Sequence, residues 1–292
     1  MKIPAENVLF LTMIRFNFVK VKITFFFLLF VGLKLNAQQP NFFSRSEIGV
    51  HVGSMYYIGD LNQFKPFYQS KLAGGFMYRF TVHSRLSLRV NYTVGNIEAY
   101  DSDSKKQINI NRNLDFKSRI RELAGGIEFN YFPFQFGSRR YPGTAYLITQ
   151  VGLFYMEPKT TINGEEVKLQ SIGTEGQGSA LGRKRNYSNF QLCIPLGLGA
   201  KVTLGKRTTF NMDIAIRKTF TDYIDDVGAD FYLDPTALAA ANGQTAADLN
   251  NRSLDGNRYG RRGNSATKDW YVYAGGMLTF RLGTGNVCPK LR

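Results

Sequence analysis

Few side chains in this sequence are suited to catalysis or to metal binding. The 292 residues contain only two histidines, His51 and His83, and two cysteines, Cys193 and Cys288. Neither histidine has a partner at metal-ligand spacing, and no H-E-x-x-H motif or cysteine cluster is present. No glycine-rich loop has the context of a phosphate site. The sequence therefore predicts a non-enzymatic protein without a metal or cofactor.

Five aspartates form an acidic cluster in the last third of the chain. They are Asp222, Asp225, Asp226, Asp230 and Asp234. Their spacing lacks the D-x-D-x-D-G pattern of a calcium-binding loop. Two interpretations stay open: a cation site, or a loop base whose carboxylates are solvated or paired with cations. The sequence favours the second. The nearby cations are Arg183, Lys184, Arg185, Arg258, Arg261 and Arg262.

The elements that must position these side chains are β-strands. Every even position from Leu192 to Leu204 is apolar, and the odd positions are mostly polar or small. After a tight turn the same alternation resumes in a second strand. A period of two places the two sets on opposite faces. The second face carries Lys201, Asp213 and Arg217, as expected of a barrel wall with lipid outside and a polar interior.

The same alternation occurs in eight segments of the chain. They are 46–58, 71–82, 86–97, 118–132, 144–156, the two halves of the hairpin 190–220, and 269–282. The segment 144–156 fits least well, because both of its faces are largely apolar. Each segment has the roughly 9–11 residues that a tilted strand needs to cross a bilayer.

The connections between these segments alternate in length. The short ones are 83–85, 133–143 and 205–207, and the long ones are 59–70, 98–117, 157–189 and 221–268. Short turns at one end and long loops at the other are typical of outer-membrane barrels, with the loops outside and both termini in the periplasm. The sequence therefore predicts an all-β fold, an eight-stranded antiparallel transmembrane β-barrel. The alternative is a soluble sandwich or a lipocalin-like barrel.

The inward-facing side of the predicted barrel is charged. Its acidic residues are Glu47, Glu122, Glu128, Asp213 and Asp269, and its basic residues are Arg79, Arg89, Lys201, Arg217 and Arg281. An eight-stranded barrel has a lumen only wide enough for side chains, and unpaired buried charges are costly. We therefore expect these charges to pair and fill the lumen, which disfavours a diffusion porin.

The same topology predicts which way His51 points and how far apart the two cysteines lie. His51 points inward, whereas a Ser–His hydrolase of the outer-membrane phospholipase kind would need its histidine on the lipid-facing side. Cys193 and Cys288 fall near opposite ends of the barrel, too far apart to form a disulfide. We therefore predict two free thiols.

The first 37 residues have the composition of a secretory signal peptide. A basic stretch precedes an apolar run of 11 residues at 23–33, which is too short to span a membrane. Met13 lies at a more usual distance upstream of this run and is an alternative start. We expect a signal peptide at 1–37 and a single barrel domain at 38–292, with a short periplasmic C-terminal tail.

The predicted mature chain is basic. Five of the 37 Lys and Arg residues and one of the 22 acidic residues precede residue 38, which leaves 32 against 21, about +11. An exported protein rarely meets nucleic acid. Outer-membrane lipid, and lipopolysaccharide phosphates in particular, are therefore the expected partners of these cations.

Several segments beside the predicted loops resemble a known family. They are YIGDLN at 57–62, NLDFKS at 113–118, TEGQG at 174–178, IPLGLG at 194–199 and FTDYIDDV at 220–227. In this order they resemble the PorG family of small outer-membrane proteins in Bacteroidetes, over residues 46–282. The motif residues in the loops are Gly59, Asp60, Asn113, Thr174, Glu175, Gly176, Gln177, Asp222, Tyr223, Asp225 and Asp226.

The resemblance implies a component of the type IX secretion system, which exports proteins across the outer membrane and supports gliding motility. It also implies association with a periplasmic ring built from the PorK lipoprotein and PorN. The resulting hypothesis is a structural anchor that contacts this ring through the periplasmic turns and the tail 283–292. The basic residues of that surface are Arg85, Arg139, Arg140, Lys206, Arg207, Lys290 and Arg292.

Two other functions stay open at this point. One is a stand-alone surface barrel similar to OmpX, whose long loops bind lipopolysaccharide or external ligands. The other is a narrow channel, which the balanced inward charges argue against.

Overall fold

Ten antiparallel strands and a few short helices make up the computed structural model of this protein. The structure describes residues 42–63, 65–136, 138, 140–162, 164–182 and 185–283. The predicted signal peptide 1–37 and the alternative start at Met13 lie outside these residues. The strands are β1 (Ser46–Ile58), β2 (Lys71–His83), β3 (Leu86–Tyr100), β4 (Asp115–Asn130), β5 (Gly143–Tyr155), β6 (Pro158–Ile162), β7 (Glu165–Lys168), β8 (Phe190–Thr203), β9 (Thr208–Thr219) and β10 (Trp270–Arg281).

Eight of these strands close into a barrel. Their order around the wall is β1, β2, β3, β4, β5, β8, β9 and β10, and the pairing of β10 with β1 completes the circle. The closing register places Ile48 opposite Phe280 and Ile58 opposite Trp270. The predicted eight-stranded antiparallel barrel is confirmed, and the predicted segment boundaries agree with the wall strands to within about three residues.

Apolar side chains face outward around the barrel. Leu72, Val151 and Val52 are 76%, 64% and 62% exposed, whereas the charged residues of the opposite face are buried. A soluble barrel would reverse this arrangement, because its apolar face would form the core. The observed arrangement is that of a transmembrane barrel. None of the described helices is long and apolar enough to span a bilayer.

Strands β1 and β10 approach each other closely where two glycines face each other. Gly53 of β1 lies opposite Gly275 of β10. A Cβ added to Gly53 would lie 2.5 Å from the Cα of Gly275 and 2.2 Å from the carbonyl oxygen of Ala274. Glycine is therefore required there for the two strands to approach each other.

The two ends of the barrel differ. At the turn end, the connections 84–85, 131–142 and 204–207 lie beside Ser46 and Arg281. At the loop end, the segments 59–70, 101–114, 156–189 and 220–269 form a structure that we call the cap. The cap contains the β6–β7 hairpin, which pairs with the first residues of β4. It also contains a 3₁₀ turn (Asp101–Asp103) and all the helices listed next except the first, which directly precedes β1.

The short helices were mostly absent from the sequence-based prediction. They are α1 (Phe42–Arg45), α2 (Gln107–Arg112), α3 (Leu169–Ile172), α4 (Pro235–Asn242) and α5 (Gln244–Asn250). Only α4 is indicated by the sequence, because Pro235 to Ala241 can form a short helical turn with proline at its first position. It begins with Pro235 after Asp234, whose side chain accepts a hydrogen bond from the Ala237 N–H at 2.8 Å.

Candidate functional site

The centre of the lumen is an ion-pair network around Glu128. Its carboxylate lies 2.9 Å from the Arg79 guanidinium, 3.3 Å from Arg89 and 2.6 Å from the Lys201 ammonium. Arg79 also contacts Glu47 at 2.8 Å. All five side chains are nearly inaccessible to solvent. The predicted pairing of inward charges is confirmed for these residues.

Two more acidic residues complete the network. Asp213 is paired with Arg89 and accepts a hydrogen bond from the Tyr146 hydroxyl. Glu122 is 3.0 Å from Arg217 and accepts from the Tyr271 hydroxyl at 2.7 Å. Every carboxylate of this group therefore has a cationic partner, which offsets the cost of burying the charge.

The described lumen leaves almost no free space. The cavity beside His51 has a volume of about 10 Å³, which is roughly the space of one water molecule. The His51 Nδ1 atom lies 2.9 Å from the Tyr273 hydroxyl, so the histidine faces inward as predicted. The paired charges and the small cavity together disfavour a path for solutes through the described lumen.

Cys193 is buried in the same lumen as a free thiol. Its sulfur lies 3.7 Å from the oxygen of the Tyr271 hydroxyl, whose proton is donated to Glu122. Cys288 lies outside the described residues, so the second predicted free thiol stays a prediction. His83, the other histidine, is exposed at the turn end.

An apolar layer separates the lumen network from the cap. Tyr57, Ile97, Phe116 and Phe154 of the wall strands pack in one cluster with apolar residues of the long loops. The loop residues are Leu61, Leu114, Leu169, Tyr187, Tyr223, Ile224, Val227 and Leu249. Burial of these residues holds the loops over the barrel end.

The family-motif residues meet inside the cap. The Tyr57 hydroxyl lies between two carboxylates. Its oxygen is 2.6 Å from the Asp225 carboxylate and 2.7 Å from that of Asp269. One hydroxyl has only one proton, so a second proton on one carboxyl is needed for both contacts to be hydrogen bonds. Burial, together with the repulsion between nearby carboxylates, raises the pKa of both Asp225 and Asp269 well above its usual value.

The position of Asp269 corrects one sequence-based expectation. We expected Asp269 to be balanced by an inward cation of the barrel. It lies instead in the cap, where it accepts from Tyr57 and from the Ile224 N–H at 2.9 Å. Within the described residues it has no ion-pair partner, because the loop 220–269 brings carboxylates rather than cations to it.

The segment 174–178 is fixed to the last loop by Glu175 and Asp226. Glu175 accepts from the N–H groups of Gly228 and Ala229, each at 3.0 Å, and is paired with Arg262. Asp226 accepts from Tyr187 at 2.7 Å and from the Thr174 hydroxyl. Burial raises the pKa of Asp226 to about 6, although Arg262 opposes the shift.

The other motif residues support the same arrangement. Asp60 accepts from the Asn264 N–H at 3.0 Å, and its carbonyl accepts from Arg112 at 3.2 Å. Arg112 pairs with Asp101 at 2.6 Å. Asn113 ends α2 in the left-handed region with φ 55°, a conformation that asparagine tolerates better than most residues. Gly59, Gly176, Gln177 and Tyr223 lie in the same cap.

The acidic cluster does not form one site. Asp222, Asp225 and Asp226 are buried, whereas Asp230 pairs at 3.7 Å with the exposed Arg261 and Asp234 caps α4. The favoured interpretation of a solvated or salt-bridged loop base is therefore wrong for Asp225 and Asp226, which have no ion-pair partner among the described residues because the loop folds inward over the barrel end. It holds for Asp222, which is paired with Lys268. No group of three acidic, histidine or cysteine residues with metal-site geometry occurs in the described part of the chain.

Asp222 is a cap carboxyl whose pKa lies near neutral pH. Burial raises its pKa to about 7, with the nearby Asp60 and Glu175 charges adding to the effect. The Lys268 ammonium lies 3.5 Å away and opposes the shift only in part.

The turn end gathers four of the seven predicted contact cations. Arg85, Arg140, Lys206 and Arg207 are all exposed there. The backbone ties these turns to the barrel, since the Asn130 N–H donates to the Arg85 carbonyl and the Arg281 N–H to that of Arg207, both at 2.8 Å. The remaining predicted contacts, Arg139, Lys290 and Arg292, lie outside the described residues, as do Arg183 and Lys184.

An aromatic side chain closes the lumen at this end. Phe134, in the connection 131–142, is buried, and the Lys201 ammonium lies 4.6 Å from the centre of its ring. Phe136 packs edge-on against it. The exposed cations therefore surround a covered opening rather than a pore.

Sequence reasoning missed several residues on which the cap depends. Arg112 and Tyr187 carry no motif of their own, and Tyr57 stood out only as the first residue of YIGDLN. Arg262 was recognised only as part of a basic run. No spacing pattern could have linked these residues to their partners, because the contacts join separate loops.

Comparisons with known proteins identify a family. No curated protein matches the sequence significantly. Solved structures that share features with it include Neisserial surface protein A (NspA), at 9% identity and TM-score 0.37, covering 82% of this chain and 97% of that one. OprG from Pseudomonas aeruginosa has 10% identity and TM-score 0.35, covering 82% and 97%. Ail of Yersinia pestis has 7% identity and TM-score 0.35, covering 80% and 97%.

These values are too low to carry information about function. The family comparison is more specific, because one family model matches residues 20–232, more than half of the chain. Its description is "Domain of unknown function (DUF6089)". The protein belongs to the DUF6089 family.

Proposed function

We propose that this protein is a non-enzymatic outer-membrane component of the type IX protein secretion and gliding machinery. In this proposal it anchors a periplasmic ring, formed by a PorK-like lipoprotein and a PorN-like protein, to the outer membrane. The turn end, with both ends of the barrel domain, faces the periplasm. The loop motifs that resemble the PorG family favour the assignment to this machinery. The filled barrel favours a role as an anchor.

The observation that carries the proposal is the combination of a filled lumen with an exposed basic turn end. The lumen charges are paired and the remaining cavity is about 10 Å³. Transport through the barrel is therefore disfavoured, and contact through a surface is favoured. Arg85, Arg140, Lys206 and Arg207 give the turn end a charge that suits an acidic protein face.

The test is a mild-detergent pull-down of the tagged protein from native envelopes, followed by mass spectrometry. The wild type should recover the ring lipoprotein and its soluble partner in constant ratio. A variant with Arg85→Glu, Arg140→Glu, Lys206→Glu and Arg207→Glu should lose both while its barrel still folds. The matched control reverses four exposed cations of the cap: Lys105→Glu, Lys106→Glu, Arg185→Glu and Arg258→Glu.

The second candidate is a stand-alone surface barrel that binds lipopolysaccharide or external ligands through its loops. It is favoured by one observation: all the loop motif residues gather in the cap rather than at the turn end. In that case the barrel is recovered alone, even after cross-linking, and the phenotype depends on the cap and not on the turns.

A further inference from the structure

Two depressions lie next to each other on the outer surface of the barrel. One has a volume of about 490 Å³ and is lined almost entirely by apolar atoms of β1 to β4 and β10. The other has a volume of about 420 Å³, is mainly polar, and lies towards the cap. Leu123 lines the first and Arg121 the second. These residues point the same way on β4, about 7 Å apart.

The polar depression has an excess of free positive charge. Lys117, Arg119 and Arg121 point outward in a row on β4 and are exposed. Among the described residues none of the three has an ion-pair partner. The other cations of this area are paired, since Lys71 is 2.8 Å from Glu98 and Lys168 is 2.6 Å from Glu157.

The row lies where the apolar exterior ends. Arg121 is opposite Val94 on β3 and Tyr155 on β5, and Tyr155 is opposite Phe190 on β8. Aromatic side chains at such a boundary are typical of the interface between lipid and water. The free cations therefore lie at the depth of the lipid headgroups, where guanidinium groups can bind phosphate oxygens in pairs.

The apolar depression begins directly below these cations. Its outward side chains include Leu123, Tyr92 and Val90. Beside Val90 the wall lacks a side chain at Gly125, where an added Cβ would meet only a Val90 methyl group at 3.8 Å. An exposed apolar groove of this size, next to a cationic pocket, is complementary to an amphiphile with an anionic head.

We infer that this face of β1 to β4 binds one phosphorylated lipid of the lipopolysaccharide class from the outer leaflet. Lys117, Arg119 and Arg121 hold a phosphate of its headgroup, and an acyl chain lies along the apolar groove. The site is on the barrel wall beside the β6–β7 hairpin of the cap, and it is separate from the turn-end contact surface. The inference rests on the proposed outer-membrane location with the cap outside.

The test measures lipid binding to the purified barrel in mild detergent by native mass spectrometry. The probes are bis-phosphorylated lipid A, its dephosphorylated form and inorganic phosphate. The wild type should bind one lipid A molecule. The variant Lys117→Gln/Arg119→Gln/Arg121→Gln should bind it at least tenfold more weakly, since each cation near a membrane surface attracts anionic lipid. The matched control is Lys105→Gln/Lys106→Gln/Arg258→Gln, which should bind like the wild type.

A second variant tests the groove. Gly125→Phe adds a ring at an open position beside Val90, and should reduce lipid A binding while a heat-dependent shift on gel electrophoresis still reports a folded barrel. Equal binding of the dephosphorylated lipid, or of lipid A to the triple variant, would overturn the inference. Inorganic phosphate that displaces bound lipid A as effectively as free lipid A does would also contradict the inference.

The same variants separate this inference from the anchor function. The triple variant should still recover the ring proteins in the pull-down, because the β4 row is distant from the turn end. If the triple variant loses lipid binding and the wild type recovers no ring proteins, the anchor function is refuted and the lipid site is not. Normal ring recovery with unchanged lipid binding in the triple variant would refute the lipid site alone.

Discussion

At the scale of single residues, Glu128 is the carboxylate on which the lumen depends most. Three cations, Arg79, Arg89 and Lys201, lie within 3.3 Å of it. All three have been removed from water. Arg79 also pairs with Glu47 and Arg89 with Asp213, whereas Glu128 is the one ion-pair partner of Lys201 among the described residues. Loss of one partner of a buried ion pair is costly because it leaves charge unpaired.

We therefore expect Glu128→Gln to lower the free energy of unfolding by about 3–5 kcal/mol. The measurement is urea unfolding of the barrel in lipid vesicles. The matched control is Glu98→Gln, which removes the pair with the partly exposed Lys71 at 2.8 Å. Partly exposed pairs contribute about 1 kcal/mol or less, so the control should change little. Equal effects of the two variants would contradict the assignment.

Asp222 should make stability depend on pH. Its pKa is about 7 in the folded protein against an ordinary value of 3.8. The folded protein therefore holds this proton more tightly than the unfolded chain. The free energy of unfolding should fall as pH rises from about 4 to 7, by at most about 1.4 kcal/mol per pH unit for one carboxyl, and then level off. Asp226, with a pKa of about 6, acts in the same direction.

Fluorescence of Trp270, the only tryptophan, can follow unfolding at each pH. Asp222→Asn should flatten the decline between pH 4 and 7. Asp230→Asn is the control, because Asp230 is held charged by the Ser265 N–H and hydroxyl and should not contribute to a decline in this range. A decline that is the same in wild type and Asp222→Asn would rule out this role for Asp222.

At the scale of the elements, the wall strands are determined by the alternation of apolar and polar residues. The conformation of the cap is determined by contacts between separate loops. The β8–β9 hairpin shows the first case, since Leu198 faces outward while Lys201 and Asp213 are buried. Segment 174–178 shows the second, because its Glu175 is fixed by Gly228, Ala229 and Arg262 of a distant loop.

The lipid-facing side of β8 gives a prediction about depth. Leu198 is 58% exposed near the middle of its strand, and Leu204 is 63% exposed at the turn. In lipid vesicles, Leu198→Arg should cost about 2–4 kcal/mol and Leu204→Arg about 0–1 kcal/mol, because the cost of a charge falls towards the interface. A soluble barrel would tolerate both equally, so equal urea-unfolding results would argue against a membrane-spanning wall.

At the scale of the whole molecule, the barrel is closed at three levels. Phe134 covers the turn end, the ion pairs fill the centre, and the apolar layer with the loops above it covers the other end. Such a molecule offers its surfaces rather than its interior to partners. Both proposed contacts, the basic turn end and the lipid-binding face of β4, lie on the outside.

We expect the purified protein to produce no steady conductance in planar bilayers. The lumen cavity of about 10 Å³ holds roughly one water molecule and gives ions no continuous path. An open diffusion porin reconstituted in the same lipid provides the positive control. A stable single-channel current from the wild type would show that the lumen opens.

The sequence by itself determined the wall of this protein. Strand alternation is local and has a period of two, so the eight strands, their lipid-facing sides and the charges of the lumen could be predicted from it. That these charges pair with one another then followed from the small width of the lumen, whereas the specific pairs of Arg79 with Glu47 and Glu128 came from the structure. The amount of helix in the loops and the β6–β7 hairpin did not follow, because no barrel constraint fixes them.

Only the tertiary structure decided the cap and the outer binding face. Tyr57 and Asp225 are 168 positions apart, and Arg262 and Glu175 are 87 apart, yet they meet in the cap. Which buried polar groups become partners depends on how the loops pack, and no local pattern encodes that. In the same way, the row of free cations on β4 became visible only once strand register showed which neighbouring cations already had partners.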